Sequence, residues 1–413
     1  MTELDDQAVN GEEPALPAPE QPSTKGARRV LAALAGGARQ LLVPLLSLVT
    51  ALLIGAVVII LSDPDFIAKI GSNPGAAFAA GFGAVGGAYG GLFSGSIGNP
   101  FVDIGPISET LLRATPLIFA GLAVALGFRA GLFNIGAEGQ IYIGALFATG
   151  VGIGFTGVPM YIHLPLAVAA GFVGGAVWGF VPGILKARTG AHEVITTIML
   201  NYVSYLIVDL ALRQPFYQRP DRSDPVSRFI EPSAILPTLL SDQRLHWGLI
   251  LALVAAVAVW WLLFRSTKGF EFRAVGLNPA GARYAGMNIS RTVILTMMIS
   301  GGLAGLAGAS EILGTNLRLT PGFSPHWGFD AIAIALLGAS RPVGVVGAAI
   351  LFGALRAGAT PMQAQTGIPV DLVVVIQGLV IMFIAAPALV RGIYRIKTEK
   401  TTGTEIFSKG WGA

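Results

Sequence analysis

About ten runs of apolar residues, most near the roughly 20 residues needed to cross the hydrocarbon core of a bilayer as a helix, recur along this chain. They read as spans at Leu41–Leu61, Thr110–Phe128, Ile141–Phe155, Leu164–Leu185, Val194–Leu212, Trp247–Phe264, Val293–Leu313, Phe329–Gly338, Val343–Ala359 and Val370–Val390. Only 12% of the 413 residues are charged and 53% are hydrophobic. A soluble domain carries about 25% charged residues, so a water-soluble fold is excluded. The expected fold class is all-α: a polytopic transmembrane bundle in which the short, glycine-rich third and eighth runs point to discontinuous helices. The 55 glycines lie among Leu, Val, Ile and Ala, where small side chains let membrane helices approach closely.

The distribution of Lys and Arg orients the spans. Arg28, Arg29 and Arg39 precede the first run; Arg129, Lys186, Arg188, Arg265, Lys268, Arg273, Arg283, Arg291 and Arg341 fall in alternate loops, and Arg391, Arg395, Lys397 and Lys400 follow the last. Both termini are therefore expected on the cytoplasmic side. The opposite loops hold Asp63 and Asp65 and the mixed stretch from Arg213 to Arg244. Residues 1–40 are acidic and proline-rich before they turn basic, which reads as a disordered cytoplasmic tail. Residues 41–391 form the expected membrane domain and 392–413 a cytoplasmic C-terminal tail. The Gly/Ala/Phe-rich stretch 70–106 reads as an outer loop with a possible interfacial helix.

Three stretches carry polar or conformational information. In Phe128–Ala145, Gly131, Gly136 and Gly139 with Asn134, Glu138 and Gln140 interrupt an apolar region, as in a discontinuous helix lining a polar path. An ordinary turn between spans would carry the same composition. A carboxylate at membrane depth is costly, so Glu138 there must face a cavity or a partner. In the loop 265–291, Asn278 followed by Pro279 has the form of an N-cap and first helical residue. The small residues Ala280, Gly281, Ala282, Ala285 and Gly286 would give that helix a flat face open to another protein. In Gly328–Gly358, Asp330 opens an apolar run and a break at Gly338–Pro342 separates two short spans, the pattern of an internal repeat around a pathway.

Other chemistry is missing. The chain has no cysteine, hence no disulfide or thiolate metal site. It has no phosphate-binding loop of the G-x-x-x-x-G-K-[ST] type, no H-E-x-x-H pair and no G-x-S-x-G element. His163, His192, His246 and His326 are scattered, so no metal site, catalytic residue or resident cofactor is expected, and no basic aromatic face suggests nucleic acid.

The stretches SETLLRATPLIFAGLAVALGFRAG (Ser108–Gly131), GLFNIGAEGQ, HEVITTIMLNYV (His192–Val203) and GFDAIAIALLGASRPVG resemble permease subunits of bacterial ABC importers in the ribose and branched-chain amino acid superfamily, closest to the nucleoside branch. The resemblance covers Ser108 to Arg391. It implies a non-enzymatic half of a pore in the bacterial cell membrane, worked by alternating access with a separate ATPase that holds ATP and Mg, a second related permease and a substrate-binding lipoprotein. It also implies that Asn278, Pro279, Ala280, Gly281, Ala282, Arg283 and Gly286 couple to the ATPase. Asn134, Glu138, Gln140, Asn201, Phe329 and Asp330 are the candidate substrate pathway, with amides and carboxylates for ribose hydroxyls and Phe329 for a base. The alternatives are a permease for a simple sugar, or an ion-driven secondary transporter with Glu138, Asp330 or Asp371 as coupling carboxylate.

Overall fold

The structure is a computed structural model that describes residues 45–395; the expected tails and residues 41–44 of the first run lie outside them. The described residues are helical, with no strand among them beyond two isolated bridges. Among the described residues eight helices are long and apolar enough to cross a membrane: α1 (Leu45–Ser62), α3 (Pro74–Ser96), α4 (Gly105–Arg129), α6 (Met160–Thr189), α7 (Glu193–Leu212), α8 (Gly248–Arg265), α11 (Ile289–Glu311, continuing to Asn316) and α13 (Pro342–Thr366). Between them lie α2 (Pro64–Lys69), α5 (Ala137–Gly154), α9 (Thr267–Leu277), α10 (Pro279–Tyr284) and α12 (Trp327–Leu337), with α14 (Asp371–Ala385) and α15 (Pro387–Ile393) at the end.

Three readings of the sequence are corrected. The run Val370–Val390 is two helices, α14 and α15, because Pro387 opens a new first turn after Ala386. The loop 265–291 is helical through most of its length: Ser266 caps α9 by accepting from the Gly269 N–H (3.0 Å). The stretch 70–106 holds a 23-residue helix, α3, capped by Asn73 with Pro74 at its first position. Its glycines lowered its apparent hydropathy yet are what seat it. Gly91 lies against Met362, Gly95 against Pro361, and Gly358 against the Leu92 carbonyl. Along the same α13, Gly353 faces Thr110 and Gly121 faces Val345. Thus α3 and then α4 descend the length of α13 in one direction. α3 therefore leads into α4 along one side of α13, ending at Arg129.

The centre is an antiparallel pair, α6 on α11, fitted by glycines. Gly171, Gly175, Gly179 and Gly183 fall every fourth residue on α6 and meet Gly305, Gly301 and Met297 on α11, backbone against backbone. Gly144 of α5 meets Gly305, and Gly308 of α11 meets the Ile141 carbonyl.

Two helices start inside this bundle. α12 has 11 residues, about 16 Å at 1.5 Å per residue and so half of a roughly 30 Å core. Its N-terminus and that of α5 meet in the interior, where Gly328 packs on the backbone of Glu138. The break 130–136 reaches α5 from the end that holds Arg129, whereas 317–326 reaches α12 from the opposite end. The two helix–break–helix units are therefore inverted relative to one another.

The widened last turn of α11, Ile312–Asn316, and the break that follows it leave backbone groups that need partners. The segment from Leu313 to Leu319 finds them in the loop after α7. The Ser227 N–H donates to Leu319 O (2.9 Å), Ile230 N–H to Leu317 O (2.9 Å) and Leu236 N–H to Leu313 O (2.8 Å), while Leu319 N–H donates to the Ser227 hydroxyl (2.8 Å). The Arg213–Arg244 stretch is thus a fitted cap. His246 closes it: fully buried, its Nδ1 accepts from the Gly248 N–H (3.1 Å) and Nε2 faces the Thr315 hydroxyl (3.2 Å), with the ring wedged on Gly314. Burial first, and Arg244 second, lower its pKa from 6.5 to about 4.

Two outcomes follow. A side chain at Gly175 has no room, so Gly175→Val lowers the thermal stability of the purified protein by about 1–3 kcal/mol or more, whereas Gly347→Val, with open space at its Cβ, does not. The neutral ring of His246 is the form the fold accepts, so its contribution is complete above pH 6.5 and is lost as pH falls toward about 4. A melting series over that window should flatten in His246→Gln if the ring is the titrating group.

Candidate functional site

At the buried meeting of α5 and α12, Glu138 sits in the first turn of α5 and is 0% exposed. Its Oε2 accepts from the Gly328 N–H (2.6 Å) in the first turn of α12, and its Oε1 has no hydrogen-bond partner. The carboxylate therefore lies on the positive end of the α12 dipole and ties the two half-helices together. One turn along α5, Tyr142 packs on Phe323 (ring centroids 4.8 Å) and on Tyr205 (4.7 Å), and Phe323 packs in turn on Trp327 (6.2 Å).

Asn134 and Gln140 are buried beside it. The Asn134 amide donates to Gln140 Oε1 (2.8 Å) and the Ser300 hydroxyl (2.8 Å), and its oxygen accepts from the Gly136 N–H (3.1 Å) and Gln140 Nε2 (3.2 Å). The Ser300 hydroxyl in turn donates to Ala123 O (2.7 Å). Every valence of the Asn134 side chain is used within the protein, binding the first break to α4 and α11. Asn201 of α7 accepts from the Gly139 N–H (2.8 Å) and donates to Ile135 O (3.1 Å), which pins the start of α5 from its other side.

Phe329 and Asp330 lie on a different face. Phe329 is 40% exposed, and Asp330 pairs with Arg356, halfway along α13; the same guanidinium donates to Pro325 O (3.0 Å), and its Nε is buried without a partner. His326, the N-cap residue of α12, packs on Phe329 (6.0 Å). The structure thus divides the six candidates: Asn134, Glu138, Gln140 and Asn201 sit behind the half-helices, and Phe329 and Asp330 in front. Reasoning from sequence passed over Ser300, Tyr142 and Arg356; a lone arginine within an apolar run was the available signal for the last.

At the basic end, Asn278 accepts from the Gly281 N–H (2.9 Å) with Pro279 first in α10. Ala282 is buried under α10, while Asn278, Pro279, Ala280, Gly281, Arg283 and Gly286 are exposed and Tyr284 is 96% exposed. Gly286, with φ of 81°, ends the helix as the Met287 N–H reaches Ala282 O (3.0 Å). No cluster of metal-binding side chains occurs among the described residues.

Residues 106–385 match the family described as the permease component of the branched-chain amino acid transport system. The chain belongs to that permease family. It is similar to the guanosine ABC transporter permease protein NupP of Bacillus subtilis, 44% identical over 70% of this chain and 84% of that one. The nucleoside ABC transporter permease protein NupB of Lactococcus lactis is 38% identical over 69% and 80%. The glucose ABC transporter permease protein TsgB13 of Haloferax volcanii is 37% identical over 67% and 75%. No solved structure matches. The match spans both half-helices, α9–α10 and the Asp330–Arg356 face. The protein is a multi-pass membrane permease subunit of the ABC importer class, and the ion-driven alternative is left without support.

Asn201→Ala in this permease leaves the Gly139 N–H and Ile135 carbonyl unpaired at depth, at a cost of about 1–3 kcal/mol. Thermal unfolding in detergent reads that loss, and Asn201→Asp, which sets an acceptor against the Ile135 carbonyl and buries a carboxylate, should lose at least as much.

Proposed function

We propose that this permease is one half of the pore of an ATP-driven nucleoside importer, and that its pathway runs along the face of Phe329, Asp330 and Arg356. The observation that carries the pathway is the ion pair itself. A carboxylate and a guanidinium halfway through the bundle, with 15% of Asp330 and 16% of Arg356 still exposed, are too costly to present to lipid. They belong against a polar cavity or a second permease. Asp330 and Arg356 would accept from and donate to ribose hydroxyls, and Phe329 offers a ring for a base to stack on. Glu138, Asn134, Gln140 and Asn201 would shape this wall from behind by fixing where α5 and α12 begin.

The nucleoside cargo is supported by the similarity to NupP and NupB, which are named for guanosine and nucleosides. The similarity to TsgB13, named for glucose, supports a second reading in which a simple sugar is carried. The basic end, with Arg129, Lys186, Arg188, Arg273 and Arg341, is the cytoplasmic side by the positive-inside rule, and both termini of a bacterial cell-membrane protein would lie there. On that side residues 265–291, and α10 above all, dock the ATPase. Asn278 and Gly286 shape the helix, and Pro279, Ala280, Gly281 and Arg283 present its surface. ATP and Mg belong to that ATPase, this chain holding neither cofactor nor catalytic residue. A related permease completes the pore and a lipoprotein delivers the cargo.

The test is uptake of labelled guanosine, with glucose in parallel, by the assembled transporter in vesicles. Phe329→Ala and Asp330→Asn should each lower nucleoside uptake about tenfold at equal assembly, the scale of losing one stacked base or one hydrogen bond to a charged group. Wild-type uptake in both variants would remove this face from the pathway, and uptake of glucose alone would favour the sugar reading.

A further inference from the structure

The C-terminal end of α12 is as unusual as its N-terminal end. The helix stops in a turn where the Ser340 N–H reaches back to Ala335 O (2.8 Å), and both Ala339 and Ser340 take the left-handed conformation, φ of 50° and 49°. Glycine ordinarily fills such positions, since a Cβ there crowds the backbone. Two successive non-glycine residues in that region persist only where their surroundings hold them. Arg129, the last residue of α4, does the holding: its Nε donates to Ser340 O (2.9 Å) and its Nη2 to Ala339 O (3.1 Å). The guanidinium has no carboxylate within ion-pairing distance among the described residues, so its specific polar partners are the carbonyls of this turn.

The other side of Arg129 meets α9, the helix that leads into α10. Phe264 lies between the guanidinium of Arg129 (5.8 Å to the ring centroid) and that of Arg273 on α9 (5.5 Å). Gly276 of α9 packs directly on the backbone at Arg129, Ala130 and Gly131, with room for no side chain on either strand of the contact. A movement of α9 therefore bears on Arg129, Arg129 grips one end of α12, and the opposite end of that short rigid helix is tied to Glu138 beside the Phe329 and Asp330 face.

We infer that Arg129 is the positioning residue that carries movement of the α9–α10 segment to α12, and so couples the ATPase to the pathway wall. This rests on the reading of α9–α10 as the ATPase-docking segment. A structural role alone would be met by anything that stabilises the turn at Ala339 and Ser340, which provides the separating experiment. In vesicles carrying the chain with its ATPase, second permease and binding protein, guanosine uptake and ATP hydrolysis are measured together for wild type, Arg129→Ala, and Arg129→Ala combined with Ala339→Gly and Ser340→Gly. The glycines relieve the turn of its need for a clasp. Both variants are expected to lose uptake about tenfold while ATP hydrolysis stays within about twofold and the ATPase still co-purifies, the signature of a lost coupling. Phe264→Leu, which removes only the ring between the two arginines, should lower nucleoside carried per ATP by about threefold and keeps the inference open to refutation should Arg129→Ala fold poorly. Uptake restored by the two glycines would reduce Arg129 to a support for the turn and overturn the inference, as would normal uptake in Arg129→Ala or an unchanged ratio in Phe264→Leu. A wild-type chain that retains no ATPase would instead overturn the docking reading, and this inference with it.

Discussion

A backbone N–H in the middle of a bilayer has no water to bond to, and a helix that begins there exposes several at once. The fold has two such beginnings, at Ala137 and Trp327, and meets the demand by setting them against each other: Glu138 from the first turn of one helix accepts from Gly328 in the first turn of the other. Much else follows from that bond. Asn134 and Asn201 hold the approach to α5, Gly328 must lack a side chain because the Glu138 backbone lies against it, and the loop from Ser227 to Leu236 must lie along residues 313–319 to complete their hydrogen bonds. The polar side chains that look most like cargo ligands in the sequence are largely engaged in this work, and the face beside it, with Asp330 and Arg356, carries charge that the protein does not wholly cover.

What was legible in the sequence was local. Asn278 and Pro279 announce a helix start because capping is decided within four residues, and Gly136 with Glu138 announces a break because polar and glycine residues interrupt an apolar run. Span positions were readable for the same reason, since hydropathy is a property of a short window. The resemblance to importer permeases rested on such contiguous stretches, and the family match covers the same region.

What stayed hidden depends on distant partners. Nothing near Asn134 in the chain points to Ser300, 166 residues away, so a saturated structural amide looked like a free one. The glycines of α3 depress a hydropathy average, yet their value lies in contacts with Pro361 and Met362 that no window contains. Arg129 read as one positive charge among several marking a membrane side; its hold on Ala339 and Ser340 crosses 210 residues.

The seam between α6 and α11 bears on how such a protein can move. Over about three turns, from Gly171 to Gly183, the two backbones interlock at van der Waals distance, and the side chains in the seam, Phe172 on Gly302 and Met297 against Gly183, are packed tightly into it. That pair, with α5 laid across it, behaves as a stator. On the inference drawn for Arg129, the working stroke of this subunit is one short rod, α12, shifting against that fixed frame.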